Sequence, residues 1–488
     1  MDGKAIRIKH LQEKPAMADI RNIFMHVLEM VLPEPALKRY VKYNQRNNIL
    51  TVASKKYNLN NYEQIIVVGG GKAAKRTGAE LVNILGDKIT AGVLDVYQDQ
   101  AKEPISERIK LFAADHPTPN EEGLKGARQM IDLLKNAGPK TMVIALISGG
   151  GSSLMAIPAG AISITDYQDI SKLLMTVPAT IDEINTVRKH IDLLKGGRMR
   201  NYASNTGAFI SLVLSDVPVT KTGIVDDTSV ISSGPTVGDD STFEMAKKVL
   251  IEYNIWDKTP KTVKEYLQAN IGKKENETLP KNSPLLADDK SQYIIIANND
   301  QAMEAAGEKA KELGYKIHLA GWNTGKTDDK IKAEVTQEID NIFRVITPSL
   351  IDTDRITFAS FSTDGIDGHS DLAGALADMD TIHEARRHRM DYKKFAAIYD
   401  SATFFKKLGL EIETGPTGTN VADVSIALIN NPDNSQRRIA FIFGGEATVN
   451  ISLPNGKKPG NGGRNTHLVL LAAEKLAQLS ECKQQTGN

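Results

Sequence analysis

The stretch Met142-Val-Ile-Ala-Leu-Ile-Ser-Gly-Gly-Gly-Ser-Ser153 decides how this chain reads. Met142 to Ile147 is an unbroken apolar run, the pattern of a strand buried on both faces. Gly149, Gly150 and Gly151 follow at once and leave backbone N–H groups with no side chain in the way. Ser152 and Ser153 add hydroxyl donors. A loop of this composition suits a phosphate-bearing ligand. Strand followed by glycine loop recurs at Val67–Lys72, Phe361–Gly368 and Phe443–Glu446. The repetition points to a large α/β enzyme that handles a phosphorylated ligand.

Working outward, short apolar runs alternate with helical spacing. Strands are expected at Ile65–Val68, Gly92–Tyr97, Leu111–Ala114 and Ile210–Leu214, and helices over Lys72–Ile84, Glu121–Leu134, Asp166–Met175 and Ile181–Leu194. That alternation predicts a Rossmann-like parallel sheet with flanking helices. Ile20–Val31 reads as a helix stopped by Pro33 and Pro35. The polar segment Lys273–Ser291 reads as an interdomain linker or an exposed crossover. A second α/β unit is expected from Tyr293, with a helix over Asp300–Leu313. Strands follow near Ile356–Phe361, Ile439–Phe443 and Thr448–Leu453, with helix over Ile382–Phe405 and Leu468–Leu479. The expected fold is α/β in two domains, 18–275 and 290–488.

Composition narrows the function classes. The 488 residues carry 60 Lys plus Arg against 60 Asp plus Glu, which gives no support to nonspecific nucleic-acid binding. The single cysteine excludes an intrachain disulfide. No stretch reaches the apolar length of a membrane span, and Met1–Lys14 lacks the apolar core of a signal peptide. A soluble cytoplasmic protein is expected, with small-molecule partners and neither membrane nor nucleic acid. A homo-oligomer is compatible with the composition.

Several segments offer chemistry, each beside a plainer reading. Gly69, Gly70 and Gly71 with Lys72 put a cation and open backbone at a helix start. Gly69, Gly71 and Ala74 also fit G-x-G-x-x-A, with Asp95 about twenty residues on, a loose dinucleotide fingerprint. A tight turn with a solvated lysine fits equally. Asp216 follows an apolar strand, where a carboxylate holds Mg²⁺, takes a hydroxyl proton, or caps a turn. Asp364 and Asp367 among glycines read as a hard-metal site or as Asx turns. Asn185, Arg188, Lys189, His190, Lys195 and Arg198 form a dense basic stretch, suited to a carboxylate or phosphate or to a solvated helix face. His116 reads as a base or ligand, or as a structural hydrogen-bonder. Zinc-type ligand clusters and the G-x-S-x-G elbow are absent.

Taken in order, Gly70–Ala74, His116–Pro119, Ile147–Leu154, Glu183–Arg198, Leu214–Asp216 and Ser233–Thr236 resemble glycerate 2-kinases. Those enzymes join a glycerate kinase domain to a C-terminal MOFRL domain. Ser362–Gly368, Thr414–Asp423, Gly444–Glu446 and Gly462–Asn465 extend the likeness, which runs from about Ala18 to about Lys475. The resemblance implies phosphorylation of D-glycerate by ATP to 2-phosphoglycerate and ADP, with Mg²⁺ or another divalent metal, in a cleft between two domains. It implies catalysis by Lys72, Asp216 and Arg464, and phosphate binding by Gly149, Gly150, Gly151, Ser152, Ser153, Gly70 and Gly71. Arg188 and Lys195 are then expected to bind substrate, and Asp364 and Glu446 the metal. One departure is large. In the family the Gly-Gly-Glu and Gly-Gly-Arg-Asn segments precede Asp-Gly-x-Asp-Gly and Thr-Gly-Pro-Thr, whereas here they follow. The C-terminal domain thus looks circularly permuted, with Asn430–Arg438 as the joining linker, and its motifs are expected to converge regardless. Thr466 and His467 replace the usual Gln and Glu, and the 217–227 loop is longer than usual. The rival readings are an NAD-dependent hydroxy-acid dehydrogenase, resting on Gly69, Gly71, Ala74 and Asp95, and a non-catalytic metabolite-binding protein.

Overall fold

The computed structural model describes residues 15–217, 226–287, 289–321, 335–351, 354–446 and 458–486. They form two compact units. The first takes 33–217 and 226–297, the second 15–32 and 298–486. The expected strand at Thr448–Leu453 and most of the 217–227 loop lie outside the described residues.

The first unit opens with a small antiparallel sheet of β1 (Val41–Asn44), β2 (Ile49–Val52) and β3 (Lys55–Asn58). Its core is a six-stranded sheet of β4 (Gln64–Gly70), β5 (Ala91–Tyr97), β6 (Ile109–Ala114), β7 (Thr141–Ile147), β8 (Ala208–Leu214) and β9 (Ser291–Ala297). The order is β6-β5-β4-β7-β8-β9 and every pairing is parallel. Counted from β4 this is the 3-2-1-4-5-6 order of doubly wound nucleotide-binding sheets. Every residue of β7 and β8 is buried, as continuous apolar strands covered on both faces require. Helix Glu121–Lys135 shows how local signals and packing agree. Asn120 caps it by accepting the Gly123 N–H at 2.9 Å, and Glu121 and Glu122 sit in its first turn. Leu124, Ala127, Met130, Ile131 and Leu134 then face the core.

Three expectations change here. Pro33 does not merely stop a helix. It opens the next one, Pro33–Tyr40, because its missing N–H is an orphan at that position anyway. The helix from Ile181 ends at His190, not Leu194, since the Asp192 carboxylate accepts the Leu194 N–H at 2.8 Å and turns the chain. Lys195 to Gly197 therefore lead into a separate helix, Arg198–Tyr202, with Gly196 and Gly197 in left-handed conformation. Finally, the segment 273–291 is a crossover within the first unit. The unit boundary falls between Ala297 and Asn298, because Tyr293–Ala297 belongs to β9, which pairs with β8.

The second unit holds β10 (Lys316–Gly321), β11 (Arg355–Ser362), β12 (Gly374–Asp378), β13 (Glu411–Ile412), β14 (Asp423–Asn431) and β15 (Asn434–Gly445). They lie in the order β10-β15-β14-β11-β12-β13, and only β10 and β15 run parallel. Helix Asn299–Glu312 starts where expected, and 382–405 resolves into parts of three short helices. The proposed joining segment Asn430–Arg438 is a hairpin: Asn431 Oδ1 accepts the N–H groups of Asp433 (2.9 Å) and Asn434 (3.0 Å), so an Asx turn links β14 directly to β15. The N-terminal helix Pro15–Val31 belongs to this unit. Phe24 stacks on Phe361 of β11 with centroids 4.5 Å apart, and Thr419 Oγ1 donates to the Val31 carbonyl at 2.8 Å. No helix among the described residues is long and apolar enough to cross a membrane.

Because Phe24 is fully buried, Phe24→Ala should cost about 3–5 kcal/mol in the second unit. Differential scanning calorimetry should show that unit's transition moving down; an unmoved trace would remove the N-terminal helix from its core.

Candidate active site

In doubly wound sheets ligands sit where the strand order reverses, beyond the carboxyl ends of the strands. Here that point lies between β4 and β7, and both strands end in glycine loops. Gly70 pairs with Ile147 in the last register position. Past it the two loops are stitched together. Ser148 N–H donates to the Gly70 carbonyl (3.3 Å), Lys72 N–H to the Gly149 carbonyl (2.9 Å), and Ala73 N–H to Ser148 Oγ (3.1 Å). The fit tolerates no side chain. A Cβ on Gly71, at φ +133°, would lie 2.2 Å from Ser148 Oγ, and one on Gly149 would lie 1.9 Å from a carboxylate oxygen of Asp216. The N–H groups of Gly149 and Gly150 donate to no described residue. They are the open donors that an anion cradle needs.

The side chains around this loop come from distant parts of the first unit. Lys72 and His116 flank Gly150, whose Cβ would lie 3.4 Å and 3.3 Å from their carbons. Burial lowers the His116 pKa, and the nearby Lys72 and Arg188 charges lower it further against the pull of Asp115. Ser153 Oγ ties the loop to the Pro117 carbonyl at 2.9 Å. Ser232 Oγ donates to the Ser148 carbonyl at 2.8 Å, and Ser233 Oγ meets Ser152 Oγ at 2.9 Å. Both serines hold left-handed backbone, φ +51° and +60°, a strain that a tightly determined site sustains. The Ser-Ser-Gly-Pro-Thr run gave their presence in sequence but not this contact.

The basic stretch separates into one available residue and several engaged ones. Lys195, expected to bind substrate, is buried and bonded to Asp192. Asp192 also takes the Tyr167 hydroxyl (2.9 Å) and the Ile157 N–H (3.1 Å). Burial lowers the Lys195 pKa while Asp192 raises it. Lys195 is therefore held within the core by its pairing with Asp192. Lys189 pairs with Asp239 at 2.7 Å, His190 with Glu277 at 3.0 Å, and Arg198 donates to the Lys189 and Asn276 carbonyls. Arg188, half-buried, makes no hydrogen bond or ion pair among the described residues.

The dinucleotide fingerprint fails on geometry. Asp95 should face a ribose, yet its carboxylate is wholly buried and raised well above the usual carboxylate range by that burial. It packs on Gly126, where a Cβ would lie 1.8 Å from its oxygen.

In the second unit the four motif segments converge although they lie far apart in the chain. Asp367 accepts the N–H groups of Asn465 (2.9 Å) and Thr466 (2.7 Å), which caps helix Arg464–Thr486. That cap sets Arg464, whose guanidinium bonds Asp423 through two nitrogens and Glu446 at 2.7 Å. Burial raises the Asp423 pKa to about 6 against the pull of Arg464. Burial also works to lower the Arg464 pKa, but Asp423 and Glu446 together hold it above its ordinary value. The Asp423 partnership was missed in sequence, though the residue closes the Thr414–Asp423 motif. Asp364 accepts from Ser362 Oγ (2.9 Å) and the Ile366 N–H (3.0 Å), the Asx turn of the plainer reading. Thr466 bonds Ser401 at 2.9 Å, and His467 is buried against Tyr399. No group of three or more His, Cys, Asp or Glu able to hold a metal occurs among the described residues. Asp367→Ala would leave two buried N–H groups without acceptors, so it should destabilise the second unit by about 2 kcal/mol or more. A urea titration checks this, and an unchanged midpoint would show that Asp367 is not the cap.

Comparison with known proteins fits these arrangements. The family described as a domain of unknown function (DUF4147) matches residues 19–268, and the MOFRL family matches 337–423. A relative named glycerate 2-kinase, from Pyrococcus horikoshii, is 32% identical over 75% of this chain and 88% of its own length. A relative from Agrobacterium vitis, 31% identical over 75% of this chain and 99% of its own, carries a provisional hydroxypyruvate reductase name. The crystal structure of a glycerate kinase from Thermotoga maritima superposes with a TM-score of 0.69 at 27% identity, covering 85% of this chain and 100% of that one. The chain belongs to the glycerate kinase/MOFRL family.

Proposed function

We propose that this protein is a glycerate 2-kinase that transfers the terminal phosphoryl group of ATP to the 2-hydroxyl of D-glycerate, yielding ADP and 2-phosphoglycerate. The observation that carries the reading is the loop Gly149–Ser153 at the sheet's switch point, with open N–H groups on Gly149 and Gly150 and with Lys72 and Asp216 set against it. The relative named glycerate 2-kinase supports the choice of substrate.

Phosphoryl transfer asks the protein mainly for positioning and charge neutralisation. In this reading Gly149, Gly150, Gly151, Ser152 and Ser153, with Gly70 and Gly71, cradle the phosphates. Lys72 neutralises charge on the transferred group. Asp216 orients the 2-hydroxyl and takes its proton as the new P–O bond forms and the bond to the leaving ADP breaks. Arg464 adds a second cation, and Asp423 and Glu446 hold its guanidinium ready. Arg188 binds substrate. A divalent cation accompanying ATP needs only one or two carboxylates beside the phosphates. We assign that part to Asp364, which accepts from Ser362 and Ile366, and to Glu446, which accepts from Arg464. The dinucleotide fingerprint behind the dehydrogenase reading loses its carboxylate with the burial of Asp95.

A coupled assay for ADP release with D-glycerate tests the reaction, and conversion of the product by enolase separates 2- from 3-phosphoglycerate. Lys72→Ala should lower kcat by about 10²–10³-fold with the circular dichroism spectrum intact. Near-normal turnover in that variant would refute its role, and NADH binding in place of ATP would refute the kinase. Removing divalent cations with EDTA should abolish ADP release and adding Mg²⁺ should restore it; full activity in EDTA would remove the metal from the reaction.

A further inference from the structure

We propose that Asn185 and Arg188 form a carboxylate subsite beside the Gly149–Ser153 loop, which takes the carboxylate of a 2-hydroxy acid while the loop takes the phosphates. The inference rests on the kinase reading above and specifies how its acceptor is held. Both residues lie on helix Ile181–His190, three apart, so their side chains leave the same face.

Asn185 is 2% exposed. Its Oδ1 accepts the Ser233 hydroxyl at 2.9 Å, and Ser233 Oγ lies 2.9 Å from Ser152 Oγ. The amide is thereby anchored to the phosphate loop through two hydroxyls. Its Nδ2 has no hydrogen-bond partner among the described residues. A buried amide N–H₂ without an acceptor is costly, and here its oxygen is already fixed to the loop. The unmet donor is accounted for by an acceptor atom that a ligand brings.

Arg188 supplies the second half. Every other basic side chain named between Lys189 and Arg198 is tied to a carboxylate or a carbonyl within the fold. Arg188 is tied to none of the described residues, and its charge is felt at His116, which flanks Gly150. The anchored amide thus offers an N–H₂ and the guanidinium a planar fork of donors. Neither offers an acceptor that would pair with a hydroxyl proton or a cation. A carboxylate, planar and anionic, matches that set. Lys195, the other basic residue first expected to meet the substrate, has no part in it because Asp192 already neutralises it.

Two phosphate esters isolate the carboxylate. 2-Phosphoglycerate and glycerol 2-phosphate carry the same phosphate on the same carbon, but the second has a hydroxymethyl group where the first has its carboxylate. Isothermal titration of the full chain should show the wild type preferring 2-phosphoglycerate by about 10–100-fold, the range expected for hydrogen bonds to a charged group. Arg188→Met and Asn185→Asp, which keeps an oxygen for the Ser233 hydroxyl but loses the amide donor, should each weaken 2-phosphoglycerate far more than glycerol 2-phosphate, collapsing the preference. Arg188→Lys, which keeps charge but loses the fork, should fall between and stands in if Arg188→Met does not fold. Equal weakening of both esters would overturn the proposal, because Arg188 would then serve the phosphate. A preference that survives in both variants, or none in the wild type, would overturn it too. Wild-type protein that releases no ADP with D-glycerate would instead sink the kinase reading, so the two failures are distinguishable.

Discussion

The seam between the loops after β4 and β7 is the constraint on which the candidate site depends. Three hydrogen bonds, from Ser148, Lys72 and Ala73, join backbone that a side chain on either loop would force apart. The seam uses the Lys72 N–H and the Gly149 carbonyl. The N–H groups of Gly149 and Gly150 donate to no described residue. The same closeness brings Lys72, His116 and Asp216 within contact of a loop that no single helix or strand could furnish. The close approach of these loops follows from parallel strand pairing at the switch point, with glycine permitting it.

The second unit meets a similar demand in another way. Its motifs are spread over a hundred residues of chain, yet Asp367 caps the helix that begins at Arg464, and Arg464 finds Asp423 and Glu446. The sheet explains why. β14 and β15 are antiparallel neighbours, so a hairpin through Asn431 joins them with no rearrangement of the layers. Chain order matters less than strand adjacency, since hydrogen bonding and burial act between neighbours in space. The N-terminal helix makes the same point: residues 15–32 pack with chain more than three hundred residues later in sequence, through Phe24 on Phe361.

Charge inside the first unit is managed by pairing. Lys189 and Lys195 are buried, each against its own carboxylate, which is the condition for burying a charge at all, and His190 is hydrogen-bonded to Glu277. That leaves Arg188 distinct within a stretch that looks uniformly basic. Asp95 shows the opposite case, a carboxylate sealed in the core and pushed toward its neutral form.

The sequence by itself determined the alternation of strands and helices, the glycine loops at strand ends, and the motifs that tie the chain to its family. These are local: apolar runs, caps and turn residues act over a few positions. Tertiary structure alone decided the rest. The unit boundary moved to Ala297 because strand pairing, not linker composition, assigns β9 to the first sheet. Lys195 and Asp95 changed meaning because burial and partner, invisible in a linear pattern, set what an ionisable group can do. Asn185 gained meaning for the same reason: which of its polar atoms finds a partner depends on Ser233, forty-eight residues away in the chain and beside it in the fold.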